Sequence, residues 1–195
     1  MLGIFLDTET NGLNPRKHKI IEIAFQIVDV LTGDVKEKFS SLISLSEEEW
    51  ARSDPVSLNV NGFTWEEARQ GATASLVGTE IQEIFLKHQI RRGEAVFICQ
   101  NPSFDRIFFA QLIDTDTQEK LLWPYHWLDL ASMYWANAIR KGALGQGNYP
   151  WETGLSKDKI ATAHSLPREK QPHRAMNGVE HLLLCYKAVV GFPKG

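Results

Sequence analysis

The sequence predicts an α/β protein: a mixed five-stranded sheet, three antiparallel strands followed by strand–helix units, flanked by helices. Three observations carry this. An apolar run opens the chain at residues 2–7. Ile20 to Val30 then alternates apolar and polar residues before Thr32-Gly33-Asp34 turns the chain back. Beyond residue 90, short apolar runs alternate with stretches of helical period.

The elements follow in order. After residues 2–7, Asn11-Gly12-Leu13-Asn14-Pro15 makes a turn, and Val35 to Ile43 returns as a third strand. Glu47-Glu48-Glu49 is read as a solvated surface turn, and Asp54-Pro55 through Asn61-Gly62 as a loop. Thr64 has the N-cap position of a short helix, with Glu66 and Glu67 in its first turn. A longer helix is expected over Leu76 to His88. Ala95 to Cys99 reads as a strand buried on both faces. Pro102 opens another helix, which places Asp105 near a helix start at the carboxyl end of a strand. His126 to Leu130 is an edge strand leading into a helix through Ile139, with Asp129 read as an N-cap in preference to a ligand. Lys141 to Thr153 is a loop, Leu155 to His164 a short helix, and Ser165 to Pro172 a loop. His173 to Val189 closes the chain as a helix, with Met176, Leu183, Leu184 and Val190 as core contacts.

Length and composition fit one domain over residues 1–195, with 43% hydrophobic and 23% charged residues. No apolar run reaches membrane-spanning length and no signal layout opens the chain, so a cytoplasmic protein without a membrane partner is expected. Cys99 and Cys185 suit buried, reduced thiols. A net charge of −3 excludes binding of nucleic acid by bulk positive charge. The charge is uneven, however. Residues 1–90 hold eight Lys/Arg against fourteen Asp/Glu, and residues 91–195 hold thirteen against ten. Lys157, Lys159, Arg168, Lys170 and Arg174 read either as a phosphate-facing patch or as a solvated helix and loop.

Chemistry enters at Asp7 and Glu9. Residues two apart in a strand share a face, and two carboxylates held together repel unless a cation lies between them. Hard divalent ions such as Mg²⁺ or Mn²⁺ prefer such oxygens.

Three stretches, Asp7-Thr8-Glu9-Thr10-Asn11-Gly12-Leu13, Asn101-Pro102-Ser103-Phe104-Asp105 and His173-Arg174-Ala175, resemble in order and spacing the three motifs of the DEDD-type 3′→5′ exonucleases. The likeness is to the branch with histidine in the third motif, DnaQ-like proteins that include proofreading subunits, ribonuclease T and oligoribonuclease. It spans nearly the whole chain and implies a ribonuclease-H-like fold in a single exonuclease-like domain. It further implies release of nucleoside monophosphates from the 3′ ends of single-stranded DNA or RNA with two ions, Mg²⁺ or Mn²⁺. A polymerase subunit or a second copy of the chain is the protein partner expected on this reading. By the same resemblance, Asp7, Glu9 and Asp105 are the metal ligands, Glu9 also serves catalysis, and His173 is the general base. Thr10, Leu13, Asn101 and Phe104 are the nucleotide-binding residues. Trp123, Trp127, Trp135 and Trp151 are candidates for base stacking, with core or rim packing as the alternative.

One position departs from the pattern: the third motif's aspartate is Gly178. Glu180 is about 200° further around a helix and points away, and Asn177, about 100° off, is a weaker neutral ligand. The loss suggests loose metal binding and slow turnover, to be restored by Gly178→Asp. The rival reading is a catalytically degenerate module that binds nucleic acid or a polymerase.

Overall fold

The structure, a computed structural model, describes residues 1–194. Its sheet has the order β3-β2-β1-β4-β5. Here β1 is Leu2–Thr10, β2 Ile20–Asp29, β3 Val35–Leu42, β4 Ala95–Cys99 and β5 Trp127–Asp129. The first three strands pair antiparallel; β4 adds parallel to β1, and β5 parallel to β4. The expected five-stranded mixed sheet is therefore present. β1 runs three residues past the expected boundary, which puts Asp7 and Glu9 inside the central strand rather than at its end.

Alternation along β1 sorts the core into two layers. Ile4 and Leu6 join one cluster with Phe97, Phe108 and Phe109. Phe5 joins the other, with Val179, Leu182, Cys185 and Tyr186 of the last helix. At about 25 cal/mol per Å² of apolar surface, these two layers are the dominant stabilising contribution. Both cysteines are buried free thiols, as expected.

Ten helices lie among the described residues: α1 Glu47–Ala51, α2 Pro55–Asn61, α3 Trp65–Ala68, α4 Ala74–Lys87, α5 Pro102–Phe109, α6 Thr115–Lys120, α7 Leu130–Ala143, α8 Pro150–Thr153, α9 Lys157–Ala163 and α10 Ala175–Val189. Three of them, α1, α2 and α8, replace expected turns or loops. Glu47-Glu48-Glu49 forms the first turn of α1 because Ser46 and Glu49 close a reciprocal capping box. The Asp54-Pro55 loop is α2: Asp54 accepts the Val56 amide, and Pro55 needs no donor at the first helical position. α6 and α8 were likewise not expected. Thr64 and Asp129 do cap α3 and α7. Of the expected core contacts in α10, Val190 is instead 48% exposed, beyond the helix end.

Candidate active site

β1 carries the first acids. Asp7 and Glu9 share the strand face that looks toward α10, while Thr8 between them looks to the other layer and donates from its hydroxyl to Asp105 Oδ1 at 2.9 Å. Asp105 is 3% exposed in α5. Its helix begins where Asn101, at φ 57°, turns the chain sharply out of β4. So strand, turn and helix bring Asp105 to the acids of β1, as its position after β4 predicted.

His173 stands just before α10 rather than within it, half-buried. The N-terminus of α10 is capped from across the sheet: Glu22 Oε2, opposite Glu9 in β2, accepts the Ala175 amide at 2.6 Å. Arg174 reaches away to Glu67 at 3.0 Å and lies over the Phe63 ring. These ties fix the approach of His173 to the sheet.

Three further residues complete the site. Lys157, at the start of α9, donates to Asp7 Oδ1 at 3.0 Å and to the Gly178 carbonyl at 3.4 Å, and pairs with Glu169 Oε2 at 3.1 Å. Glu169 is 6% exposed, and its Oε1 lies 3.2 Å from His173 Nδ1. His181 in α10 donates to the Pro167 carbonyl and stands 3.7 Å from Glu169. Sequence reasoning put Lys157 in a basic surface run and Glu169 in a loop. No local signal separates a buried charge from a solvated one; only the long-range pairing does.

The electrostatics follow from burial. Asp7 is raised by burial, with Lys157 opposing. Burial, with repulsion from Asp7, pushes Glu9 up to about 8. Asp105 is raised well above the usual carboxylate range by burial and by Asp7, against the Thr8 hydrogen bond. Glu169 differs: burial would raise it, but the His181 imidazole 3.7 Å away and the Lys157 ammonium at 3.1 Å outweigh that and hold it at about 2. Burial thus raises the three carboxyls on β1 and α5, Lys157 offsetting it only in part at Asp7, while Glu169 is held low.

Gly178 makes this packing available. A Cβ there would come within 2.6 Å of Asp7 Cγ, closer still to Asp7 Oδ2, and 3.0 Å from Lys157 Nζ. The space for a third-motif side chain is taken by the ends of two side chains, Asp7 and Lys157, which would have to move to admit one. Glu180 points away as expected, pairing with Lys38.

The donors Asp7, Glu9 and Asp105 are hard carboxyl oxygens, a donor set whose chemistry suits one divalent cation. They are short for two. Among the described residues no three His, Cys, Asp or Glu side chains are grouped so as to hold an ion as they stand; Lys157 engages Asp7, and Thr8 engages Asp105.

The nucleotide-binding expectations divide. Leu13 is 71% exposed beside the first acids, and Asn101 is exposed too. Thr10 is buried and spends its hydroxyl on the Gly12 carbonyl. Phe104 packs on Phe108 at the core. Nor do the four tryptophans form one group. Trp123 and Trp127 pack into the Phe97 layer, whereas Trp135 and Trp151 sit together and exposed, with Tyr149 stacked on Trp151. A cavity of about 600 Å³ beside Phe85, Leu86, Leu122 and Trp123 includes none of the site's acids.

No described helix is long and apolar enough to cross a membrane. No curated protein matches the chain in sequence. In fold it is similar to E. coli exonuclease I. In complex with a dT13 oligonucleotide, that protein superposes at a TM-score of 0.72 with 16% identity, over 98% of this chain and 41% of the other. Its zinc-bound complex with single-stranded DNA gives 0.71 and 17%, over 96% and 40%. The chain therefore spans about two fifths of the solved structures it resembles. The family model for RNase_T exonucleases matches residues 4–180, and the chain belongs to that exonuclease family, of DnaQ-like type.

Proposed function

We propose that the protein is a metal-dependent 3′→5′ exonuclease that releases nucleoside monophosphates from the 3′ ends of single-stranded nucleic acid. The observation that supports this best is the convergence of two half-buried carboxyls, Asp7 and Glu9, and the buried Asp105, all three raised by burial, beside His173. Asp7, Glu9 and Asp105 would hold Mg²⁺ or Mn²⁺, which when bound supplies Lewis acidity and charge neutralisation at phosphorus.

The remaining steps belong to the chain's own groups. His173 takes the proton of the attacking water. Glu169 Oε1 has no hydrogen-bond partner in this structure and lies 3.2 Å from Nδ1, so a rotation of the ring would engage it and leave Nε2 as the base. Burial of Glu169 keeps water from competing for that contact. Leu13 would wedge against the terminal base, and Asn101 would line the approach to Asp105. Single-stranded DNA, the ligand in the exonuclease I complexes, is the first substrate to test, with RNA beside it.

The experiment is digestion of 3′- and 5′-labelled single strands with Mg²⁺, Mn²⁺ or chelator. Mononucleotide release from the 3′ end, stopped by chelator and lowered about 10²–10⁴-fold by His173→Ala, is expected. Cutting of a circular strand, or full activity in Asp7→Ala, would refute the assignment. The second reading, a module that binds nucleic acid or a polymerase without cutting, is favoured by the Lys157–Asp7 ion pair and by Gly178. Tight strand binding with no metal-dependent product would establish it.

A further inference from the structure

The Lys157 ammonium is held by three oxygens, from Asp7 at 3.0 Å, Glu169 at 3.1 Å and the Gly178 carbonyl at 3.4 Å, with 13% of its side chain exposed. An ammonium has three donors and no acceptor, so three oxygens use it completely. Carboxylate–cation–carboxylate is also the arrangement a divalent ion makes, here with a charge carried by the chain.

The same cation lies against Gly178. A side chain at residue 178 would meet both Asp7 and Lys157 Nζ, so the glycine and the lysine are matched: the one leaves the room that the other, with Asp7, fills. Loss of a third-motif acid is therefore not a bare deletion. One negative charge is absent and one positive charge is present in its place, and both changes reduce the call for a second divalent ion.

We propose that Lys157 is a built-in cation that replaces one of the two metal ions of a two-ion nuclease site, so that this site takes a single divalent ion on Asp7, Glu9 and Asp105. Paired two-ion sites clamp the displacement with ions about 3.5–4 Å apart. Here one of those charges is fixed, and it is not lost when metal is scarce. The inference rests on the nuclease reading above, but its test does not depend on turnover.

The test is to count Mn²⁺ bound by the whole chain, by calorimetry and by electron paramagnetic resonance of free ion. One Mn²⁺ per chain is expected. Lys157→Arg keeps the charge and should stay at one. Lys157→Met frees Asp7 and Glu169 and should bind a second ion. Two ions on the unaltered chain, none on it, or a count that stays at one in Lys157→Met would each overturn the proposal. Near-ultraviolet circular dichroism checks that Lys157→Met is folded; if it is not, the count on the unaltered chain and on Lys157→Arg still decides. The two readings fail separately. Two ions with cutting sinks the built-in cation and keeps the nuclease; one ion without cutting does the reverse.

Discussion

The α-carbon of Gly178 packs directly on the Asp7 carboxylate, with no room for a Cβ between them. Refilling the third-motif position therefore pushes Asp7 off its place and sets a second carboxylate against it. Gly178→Asp should lower activity rather than raise it. Overpacking of this kind costs about 1–3 kcal/mol, and like-charge repulsion adds to it. The check is thermal unfolding without metal, paired with the cutting rate at limiting Mg²⁺. A rate gain at unchanged stability would show that Asp7 moves aside freely.

A pH prediction follows from Glu9. Its folded value of about 8 lies above its ordinary 4.5, mainly through burial and then through Asp7. Between those two values the folded chain binds more protons than the unfolded one, so the stability contributed by Glu9 is full below about 4.5 and is lost as pH rises toward about 8. The metal-free melting temperature should fall across that window, and Glu9→Gln should flatten the slope. Added Mg²⁺ should raise the melting point more at pH 8 than at pH 5, because ligands must be deprotonated to bind. A slope in Glu9→Gln equal to that of the parent would remove Glu9 as its source.

Asp7 and Glu9 were legible because strand alternation alone puts them on one face. Asp105 was legible because helix starts after parallel strands collect ligands. Lys157 and Glu169 were not. Each stands in a polar stretch whose composition looks solvated, and their burial depends on partners that only the fold brings in: Asp7, 150 residues from Lys157, and Lys157 and His181, each 12 residues from Glu169. The missed helix α1 is a different case: Ser46 and Glu49 are a readable capping box, overlooked behind a run of three acids.

Glu22 should matter to the site without entering the chemistry. It accepts the Ala175 amide at 2.6 Å and so replaces the missing side-chain cap of α10, two residues beyond His173. Glu22→Ala should cost about 0.5–2 kcal/mol, the usual range for a lost cap. Glu22→Gln keeps an acceptor and should recover most of that. Urea midpoints measure both, and amide exchange at Ala175 should rise in Glu22→Ala only.

Glu169 touches both halves of the site, with Oε2 on Lys157 and Oε1 near His173. If it serves the base, Glu169→Gln and His173→Ala should not add: the double variant should cut no more slowly than His173→Ala alone, since residues that act as a unit are non-additive. If it only holds Lys157 in place, the two losses should multiply. Stability gives an independent reading. Glu169 is held at about 2, below its ordinary 4.5, so its contribution is full above about 4.5 and is lost as pH falls toward about 2. Glu169→Gln should therefore destabilise the chain at neutral pH, by about 3–5 kcal/mol if the buried ion pair is simply broken, and by less at pH 3. A variant equally stable at both pH values would mean that the carboxylate is not ionised in the folded chain, and the base-positioning role would fall with it.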